Sequence, residues 1–456
     1  MDYQEFLLNK KLAADTTGFD IDESRLNPML KPFQRVVTVW NLKKGRAAML
    51  QDCGLGKTPQ QLEWAQKVVE HTNGRVLIVT PLSVSYQTEK EAAKFGIEAH
   101  RSNDGKPKGR ITITNYERLH LFDPNDWIGF VGDEASIMKN FNGATRLIVN
   151  EFMKGKQYRL LCTATAAPND YIELGTLAEA LGAMGYMDML SRFFRNTQNT
   201  CDSHGRAFGN KVQWRFKKHA EIAFWKWVCS WARTLRKPSD LGFNDDGYDL
   251  PPLIELETVI PVSRPLNGKM FPEPARDLRE QREERRATIK ERCECAAEKV
   301  KDDKVAVVWC HLNEEGDYLE KIIPGAVQIK GAHSPEQKEE RFKAFSENEV
   351  RVLVIKPKIG AFGLNWQHCN HSVTFPSHSY EQYYQEVRRF WRYGQEKPVV
   401  IDMIISQGEV RVLENLQRKA KQADAMFDNL VRFMKDAMAI DTVKTYTEQM
   451  EVPSWL

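Results

Sequence analysis

Residues 51–58 read Gln-Asp-Cys-Gly-Leu-Gly-Lys-Thr, a glycine-spaced turn between a short apolar run (46–50, RAAML) and an amphipathic stretch (59–69). Strand, tight turn and helix in that order are the frame of a phosphate-binding loop. Gly54 and Gly56 let the backbone turn so that its N–H groups converge on phosphate oxygens, with the positive end of the next helix behind them. In that frame Lys57 reaches the β- and γ-phosphates and the Thr58 hydroxyl ligates Mg²⁺. The strict pattern has Gly at position 51, where this chain has Gln. A Gly-rich strand-to-helix turn with an exposed Lys is the other reading of the segment.

A phosphate loop of this kind sits on a parallel sheet, and hydrophobic patterning predicts two such sheets. Short β-rich runs at 75–80 (RVLIVT), 111–114 (ITIT), 128–132 (IGFVG) and 159–163 (RLLCT) alternate with longer amphipathic stretches. A second block repeats the pattern at 305–310 (VAVVWC), 326–329, 350–355, 372–375 and 399–405. The chain has 456 residues, whereas single cores seldom exceed ~250–300. The fold class is therefore α/β, with two parallel-sheet lobes in tandem. The boundaries read as an N-terminal extension (1–29), a first lobe (30–185), a basic, Trp-rich insertion (186–253), a charged helical linker (254–304), a second lobe (305–430) and a C-terminal helix (431–456). The mixed charges of 276–304 predict one long solvated helix.

Composition removes several alternatives. No run approaches the ~18–20 apolar residues needed to span a bilayer, so no membrane association is expected. The first residues, MDYQEFLLNKKL, place acids where a secretory leader is basic. Of eight cysteines only Cys293 and Cys295 are close, without a second pair at zinc-finger spacing. Reduced thiols in a cytoplasmic compartment, without a structural metal, follow. The formal net charge is +3, so any nucleic-acid surface must be a local patch.

The first lobe also holds Phe130-Val131-Gly132-Asp133-Glu134-Ala135-Ser136, an apolar strand ending in two carboxylates. Strand ends are where open α/β sheets place ligands. Asp133 would hold Mg²⁺, directly or through water, and Glu134 would orient and deprotonate an attacking water. A strand running into an acidic helix cap gives the same string without chemistry.

Order and spacing give the chain a resemblance to superfamily 2 helicases and translocases, closest to compact Swi/Snf-type DNA-dependent ATPases of bacterial or phage kind. Leu30-Lys31-Pro32-Phe33-Gln34 resembles the Q motif, in which Gln34 would read the adenine edge. Residues 52–58 resemble motif I, which in this superfamily often lacks the first glycine. Asp133-Glu134-Ala135-Ser136-Ile137-Met138-Lys139-Asn140 resembles motif II with the Lys-Asn extension of the translocase branch. Thr163-Ala164-Thr165 resembles motif III, whose hydroxyls couple the nucleotide site to the nucleic-acid groove. Gly360-Ala361-Phe362-Gly363-Leu364-Asn365 resembles motif V, with Gly363 at the nucleotide; Lys356-Pro357-Lys358 replaces the usual small hydroxyl residue upstream. Residues 385–395 (QEVRRFWRYGQ) resemble motif VI, with Gln385 as a coupling residue. Arg389 and Arg392, three apart, would share a helix face and act on the γ-phosphate as arginine fingers. A solvated basic helix face is the other reading of that stretch.

The resemblance covers about residues 30–406. It implies two RecA-like lobes, ATP and Mg²⁺ as cofactors, and hydrolysis on lobe closure that drives movement along nucleic acid. The implied partner is double-stranded or branched DNA and the implied state a monomer. Thr80-Pro81-Leu82, Thr114-Asn115-Tyr116-Glu117, His311 and Lys330-Gly331 fall where motifs Ia, Ib and IV would touch phosphates. From 186 to 237 there are eleven Lys or Arg against three Asp or Glu. Arg192, Arg195, Lys211, Arg215, Lys217 and Lys218 are the candidate phosphate contacts. Trp214, Trp225, Trp227 and Trp231 lie among them, where base stacking would use them. Yet Phe224, Trp227, Val228 and Trp231 have the helical spacing of a core stripe, which is the preferred reading. Three functions remain open: a DNA translocase that remodels branched DNA or protein–DNA complexes, a strand-separating DNA or RNA helicase, and an ATP-gated DNA clamp without productive hydrolysis.

Overall fold

The structure, a computed structural model, describes residues 14–82, 84–139, 143–167, 170–196, 214–217, 219–261, 278–302, 304–360 and 366–447. The chain forms two compact units, Met1–Asp245 with Ala423–Leu456, and Asp246–Gln422.

The first unit is built on a parallel sheet of seven strands. In chain order its elements are α1 (Pro32–Lys44), β1 (Arg46–Gln51), α2 (Lys57–Thr72), β2 (Val76–Thr80), α3 (Ser85–Lys94), β3 (Ala99–Arg101), β4 (Ile111–Asn115), β5 (Gly129–Asp133), α4 (Ala144–Met153) and β6 (Tyr158–Thr163). There follow α5 (Leu174–Leu181), α6 (Tyr186–Phe193), a two-stranded antiparallel ribbon of β7 (Phe194–Asn196) and β8 (Trp214–Phe216), α7 (Glu221–Cys229) and β9 (Ala232–Leu235). The sheet order is β3-β4-β2-β5-β6-β1-β9. Its central strands are buried along their whole length, which is why they read as continuous apolar runs rather than alternating ones. Pro32 opens α1 at a position where its missing N–H costs nothing.

The stretch assigned to an insertion (186–253) contributes to both units. Its strand β9 pairs with β1 from Ala48↔Ala232 to Gln51↔Leu235, and so completes the first sheet. Trp225, Trp227 and Trp231 are almost wholly buried in the core of that unit, so the helical stripe is a packing stripe. Phe193, Phe194, Phe216, Phe224 and Trp227 form a continuous set of ring contacts with centroids 4.5–5.7 Å apart.

The second unit has a six-stranded parallel sheet. It contains β10 (Leu253–Ile260), α8 (Leu278–Ala287), α9 (Ile289–Lys299), β11 (Ala306–Trp309), α10 (Asn313–Ile322), β12 (Ala326–Ile329), α11 (Pro335–Ser346), β13 (Val352–Ile355), the single turn α12 (Pro357–Gly360), β14 (His371–Thr374), α13 (Tyr380–Val387) and β15 (Val399–Ser406). The order is β10-β15-β14-β11-β13-β12. β10, read from sequence as the start of a helical linker, pairs in register with β15 over eight residues.

The charged run 276–304 is two helices rather than one, and it is not simply solvated. Arg292 Nη2 meets Glu315 Oε1 at 2.8 Å with both side chains fully buried, and Arg285 pairs with Glu409 and the Pro376 carbonyl. Opposite charges at these positions satisfy one another inside the fold. The final helix, α14, runs Val410–Thr447 and so begins about twenty residues before the sequence boundary. Its later part joins the first unit, where Arg236 forms ion pairs of 3.0 Å with Asp424 and Asp428 and Leu430 and Met434 enter the core.

Candidate nucleotide site

The central strand order β5-β6-β1 puts three motif ends side by side. Leu50 on β1 is level with Thr163 on β6, and Asp133 on β5 is level with Cys162. Asp133, Thr163 and the loop after Gln51 therefore emerge together at the carboxyl edge of the sheet, where such folds bind ligands.

The loop has the conformation that its glycines permit. Gly54 has φ +89° and Gly56 φ +73°, values that side-chain-bearing residues rarely adopt. Gly56 caps α2 without a side chain, and the first turn carries no acidic residue. The first N–H groups of α2 lack intrahelical acceptors, so this end suits an anion. Lys57 Nζ donates to the carbonyls of Gln51 (2.9 Å) and Asp52 (3.2 Å), which folds it back over the loop. Thr58 follows it in the first turn of α2, half-buried.

Gln51, at the position where the strict pattern has glycine, is fully buried and ends β1. Its side-chain amide and that of Gln60 are paired head to tail at 2.9 Å. Gln60 also donates to the Gly56 carbonyl at 2.9 Å. The missing glycine is thus occupied by a residue that ties the strand to the helix from beneath the loop.

Gln34 is placed beside the loop, but its amide is already used. Nε2 donates to the Leu55 carbonyl and Oε1 accepts from the Lys31 N–H, both at 2.9 Å. A Cβ on Gly56 would lie 2.4 Å from Gln34 Nε2. Gln34 here holds the loop from behind instead of presenting a free edge to a base.

Asp133 is buried, and burial pushes its carboxyl up, opposed by a hydrogen bond from Gln61 and the charge of Lys57. Gln61 Nε2 donates to Asp133 Oδ1 at 2.7 Å. The Tyr116 hydroxyl donates to the Asp133 carbonyl at 2.7 Å, so part of the expected motif Ib strip is internal support. Glu134 follows in the left-handed region, φ +51°, where the chain turns sharply out of β5. Thr163 Oγ1 accepts from the Thr165 N–H at 3.0 Å, and both side chains are buried. The Thr58 hydroxyl and the Asp133 carboxylate are hard oxygen donors of the kind Mg²⁺ takes, and the loop glycines leave room for phosphate oxygens. The residues present therefore fit a magnesium nucleotide.

In the second unit the expected helical face for Arg389 and Arg392 is corrected by the fold. α13 ends at Val387, and both arginines lie in the turns beyond it. Arg389 is buried, with Nε on the Gln385 carbonyl (3.3 Å) and Nη2 on Gln385 Oε1 (3.0 Å). Arg392 is partly exposed. Gln395 Nε2 donates to the carbonyls of Gln367 (2.9 Å) and Cys369 (3.2 Å), which fastens the end of the motif to the preceding loop. His311 Nε2 lies 2.8 Å from the Phe375 carbonyl and Lys330 pairs with Asp317; both are engaged within their own unit.

Arg192, Arg195 and Arg215 are exposed and Lys217 half-buried. Gly363, Lys211, Lys218 and Asn140 lie outside the described residues. Gln51, Gln60 and Gln61 were missed by sequence reasoning. The available signal was position: Gln61 is four residues after Lys57 and shares its helix face.

Comparison with known proteins bears on the fold and on the second unit. The helicase conserved C-terminal domain family matches residues 287–394. The bifunctional helicase and thymine dioxygenase JBP2 of Leishmania infantum is 36% identical over 94 residues, covering 20% of this chain and 9% of that protein. Helicase SWR1 of Mycosarcoma maydis is 28% identical over 177 residues, covering 33% and 10%. The chain spans about a tenth of the length of these relatives. Among solved structures, the DUF1998 helicase MrfA bound to DNA has a TM-score of 0.55 at 13% identity, covering 92% of this chain and 55% of that one. Dbp5 of S. cerevisiae bound to RNA and ADP BeF3 has 0.52 at 13%, covering 88% and 98%. The two parallel sheets match the two RecA-like lobes of these helicase structures.

Proposed function

We propose that the chain is a nucleic-acid-dependent ATPase that moves along DNA, in the manner of Swi/Snf-type translocases. The observation that carries this reading is the cluster at the edge of the first sheet. The charge of Lys57 acts on Asp133 there, and Thr58 follows Lys57 in the helix behind a loop whose φ angles and helix end without a side-chain cap suit a triphosphate. ATP with Mg²⁺ is the fitting cofactor, the ion neutralising charge on the transferred phosphoryl group. Glu134 orients the attacking water, and Arg392 stabilises the charge that spreads over the γ-phosphoryl oxygens. Arg389 holds Gln385 and so shapes the turn that presents Arg392. Thr163 and Thr165 form the coupling segment beside Asp133.

DNA translocation is favoured over simple strand separation by the Lys139-Asn140 extension and the Gly394-Gln395 ending. A monomer acting in the cytoplasm is the corresponding state. ATPase stimulation by single-stranded DNA, duplex DNA, branched DNA and RNA tests the engine and its track together, with Lys57→Ala as the inactive control. Stimulation by duplex together with triplex displacement is the expected result. Strand separation of forked substrates without triplex displacement would make the protein an unwinding helicase. Absence of stimulated hydrolysis, or an unchanged rate in Glu134→Gln, would leave only an ATP-gated clamp.

A further inference from the structure

Position 51 carries glutamine where a phosphate loop of the strict pattern has glycine, and the fold gives that side chain no solvent. Gln51 is fully buried at the end of β1, and an amide is buried at low cost only where its polar atoms are satisfied. Gln60, also buried, meets it from α2. The two amides exchange hydrogen bonds, Gln51 Nε2 to Gln60 Oε1 and Gln60 Nε2 to Gln51 Oε1, both at 2.9 Å. An amide nitrogen carries two protons, and the second on Gln60 goes to the Gly56 carbonyl at 2.9 Å. Both donors of Gln60 and its acceptor are therefore engaged. Flipping its amide would set Oε1 against the Gly56 carbonyl oxygen, so the pair has one orientation.

The pair grips the loop at the residue immediately before α2. Gly56 is left-handed there, φ +73° and ψ +50°. A peptide plane is rigid and trans, so its C=O and N–H point in opposite directions. Holding the Gly56 carbonyl on Gln60 therefore sets the Lys57 N–H on the opposite side. The Leu55 carbonyl, held by Gln34 Nε2 at 2.9 Å, sets the Gly56 N–H in the same way. The backbone of position 51 is fixed as well: its carbonyl accepts from Lys57 Nζ at 2.9 Å, and the Asp52 N–H donates to the Leu235 carbonyl of β9 at 2.9 Å. Gln51 thus links strand, loop, helix and the Lys57 ammonium, whereas glycine would supply the backbone contacts alone. Packing alone would be served by an apolar side chain at 51 and at 60, without desolvating two amides.

We infer that Gln51 and Gln60 are positioning residues for triphosphate binding, their amide pair holding the loop in its anion-accepting form before the nucleotide arrives. This rests on the ATPase reading above. Donors fixed in advance lose little freedom when the ligand binds, so the pair acts on affinity through the loop without touching the phosphates. The consequence runs against the strict pattern: installing glycine at position 51 weakens triphosphate binding.

The test is calorimetric titration of the full chain with ATP and with inorganic tripolyphosphate, each with Mg²⁺, beside thermal melts and duplex-stimulated hydrolysis. Gln51→Gly is expected to weaken both ligands by the same factor, roughly tenfold, about the worth of one hydrogen bond. KM for ATP should rise with it while kcat falls far less, the mark of lost ground-state binding. Gln51→Met keeps the side-chain length but leaves Gln60 Oε1 buried without its donor, so Tm falls together with affinity. Gln51→Met with Gln60→Met removes both polar partners, which restores much of the stability. In that double variant Tm is expected to recover while affinity for tripolyphosphate stays low, which keeps the test open if Gln51→Gly folds poorly. Recovery of Tm and affinity together would mean packing alone and would overturn the inference. So would a Gln51→Gly protein that binds tripolyphosphate as tightly as the unaltered chain, or one that loses ATP but not tripolyphosphate; the functional reading stands in both cases. If the unaltered protein binds neither ligand, the functional reading falls and the inference with it.

Discussion

Gln61 donates its side-chain N–H to Oδ1 of Asp133 at 2.7 Å, with both residues buried. The contact joins α2, which carries Lys57 and Thr58, to Asp133 at the end of β5, just before Glu134. A carboxylate that is to bind a cation needs one oxygen fixed so that the other is aimed. Gln61→Leu keeps the volume and removes the donor. The expected result is a rise of roughly tenfold in the Mg²⁺ concentration needed for half-maximal turnover, with nucleotide affinity measured in EDTA little changed. Gln61→Glu should be worse, since it sets two carboxylates against each other. An unchanged Mg²⁺ dependence in Gln61→Leu would reduce the residue to a packing role.

The two arginines proposed for the second unit should behave differently. Arg389 is buried against Gln385, and its loss leaves a buried amide carbonyl without its donor, a cost of about 1–3 kcal/mol. Arg392 is partly exposed in a turn. Arg392→Ala is expected to lower kcat by roughly a thousandfold while Tm and binding of a fluorescent ATP analogue stay near normal. Arg389→Ala should lower Tm as well as kcat. Equal thermal losses in both variants would contradict this division of labour.

The large features of the fold were legible because parallel strands buried on both faces leave long apolar runs, as in residues 76–80 and 158–163. Three other kinds of element were not. β9 is a four-residue strand interrupted by Arg233, whose guanidinium is satisfied by the Cys229 carbonyl and lies over the Trp40 ring. The ribbon strands are three residues each, too short for any period. β10 is an edge strand in which exposed Ile254 and Leu256 alternate with Glu255 and Glu257, a two-residue period that was absorbed into the charged run after it. At the candidate site, the strand, turn and helix around Lys57 and the strand ending at Asp133 were readable because apolar runs and spaced glycines mark them. The glutamines at 51, 60 and 61 were not, since an amide pair buried under a loop has no period of its own. Arg389 and Arg392 kept their spacing but not their helix, because α13 stops at Val387 and the turn that follows is held by Gln395.

Gly56 and Gln34 set a limit on the loop. At φ +73°, any β-carbon at position 56 is strained, and it would also meet Gln34 Nε2 at 2.4 Å. Gly56→Ala should therefore cost about 1–2 kcal/mol from the backbone alone and weaken ATP binding further through the displaced Gln34. Adding Gln34→Ala to Gly56→Ala should recover the collision part of the loss but not the backbone part. Calorimetric titration of ATP into the four proteins of this cycle gives the coupling directly. Strict additivity would show that Gln34 does not brace the loop.

Glu386 gives the second unit a pH dependence of unusual sign. Burial raises its carboxyl to about 8, opposed by the hydrogen bond from Thr374 and the charge of Arg285. Thr374 Oγ1 lies 2.8 Å from Glu386 Oε2. Between the unfolded value, 4.5, and about 8, the folded chain keeps a proton that the unfolded chain releases. Stability must then fall as pH rises through that interval and level off above it. His311 acts in the opposite sense: burial first, then Arg285, pushes its imidazole down, so it destabilises the fold only as pH drops below 6.5. Over the window from pH 6.5 to 8 Glu386 itself contributes a loss on the order of 2 kcal/mol. Thermal melts across that window should show Tm falling more steeply with pH in the unaltered protein than in Glu386→Gln, which carries no proton to lose. An identical slope in the Gln variant would move the titration to another group.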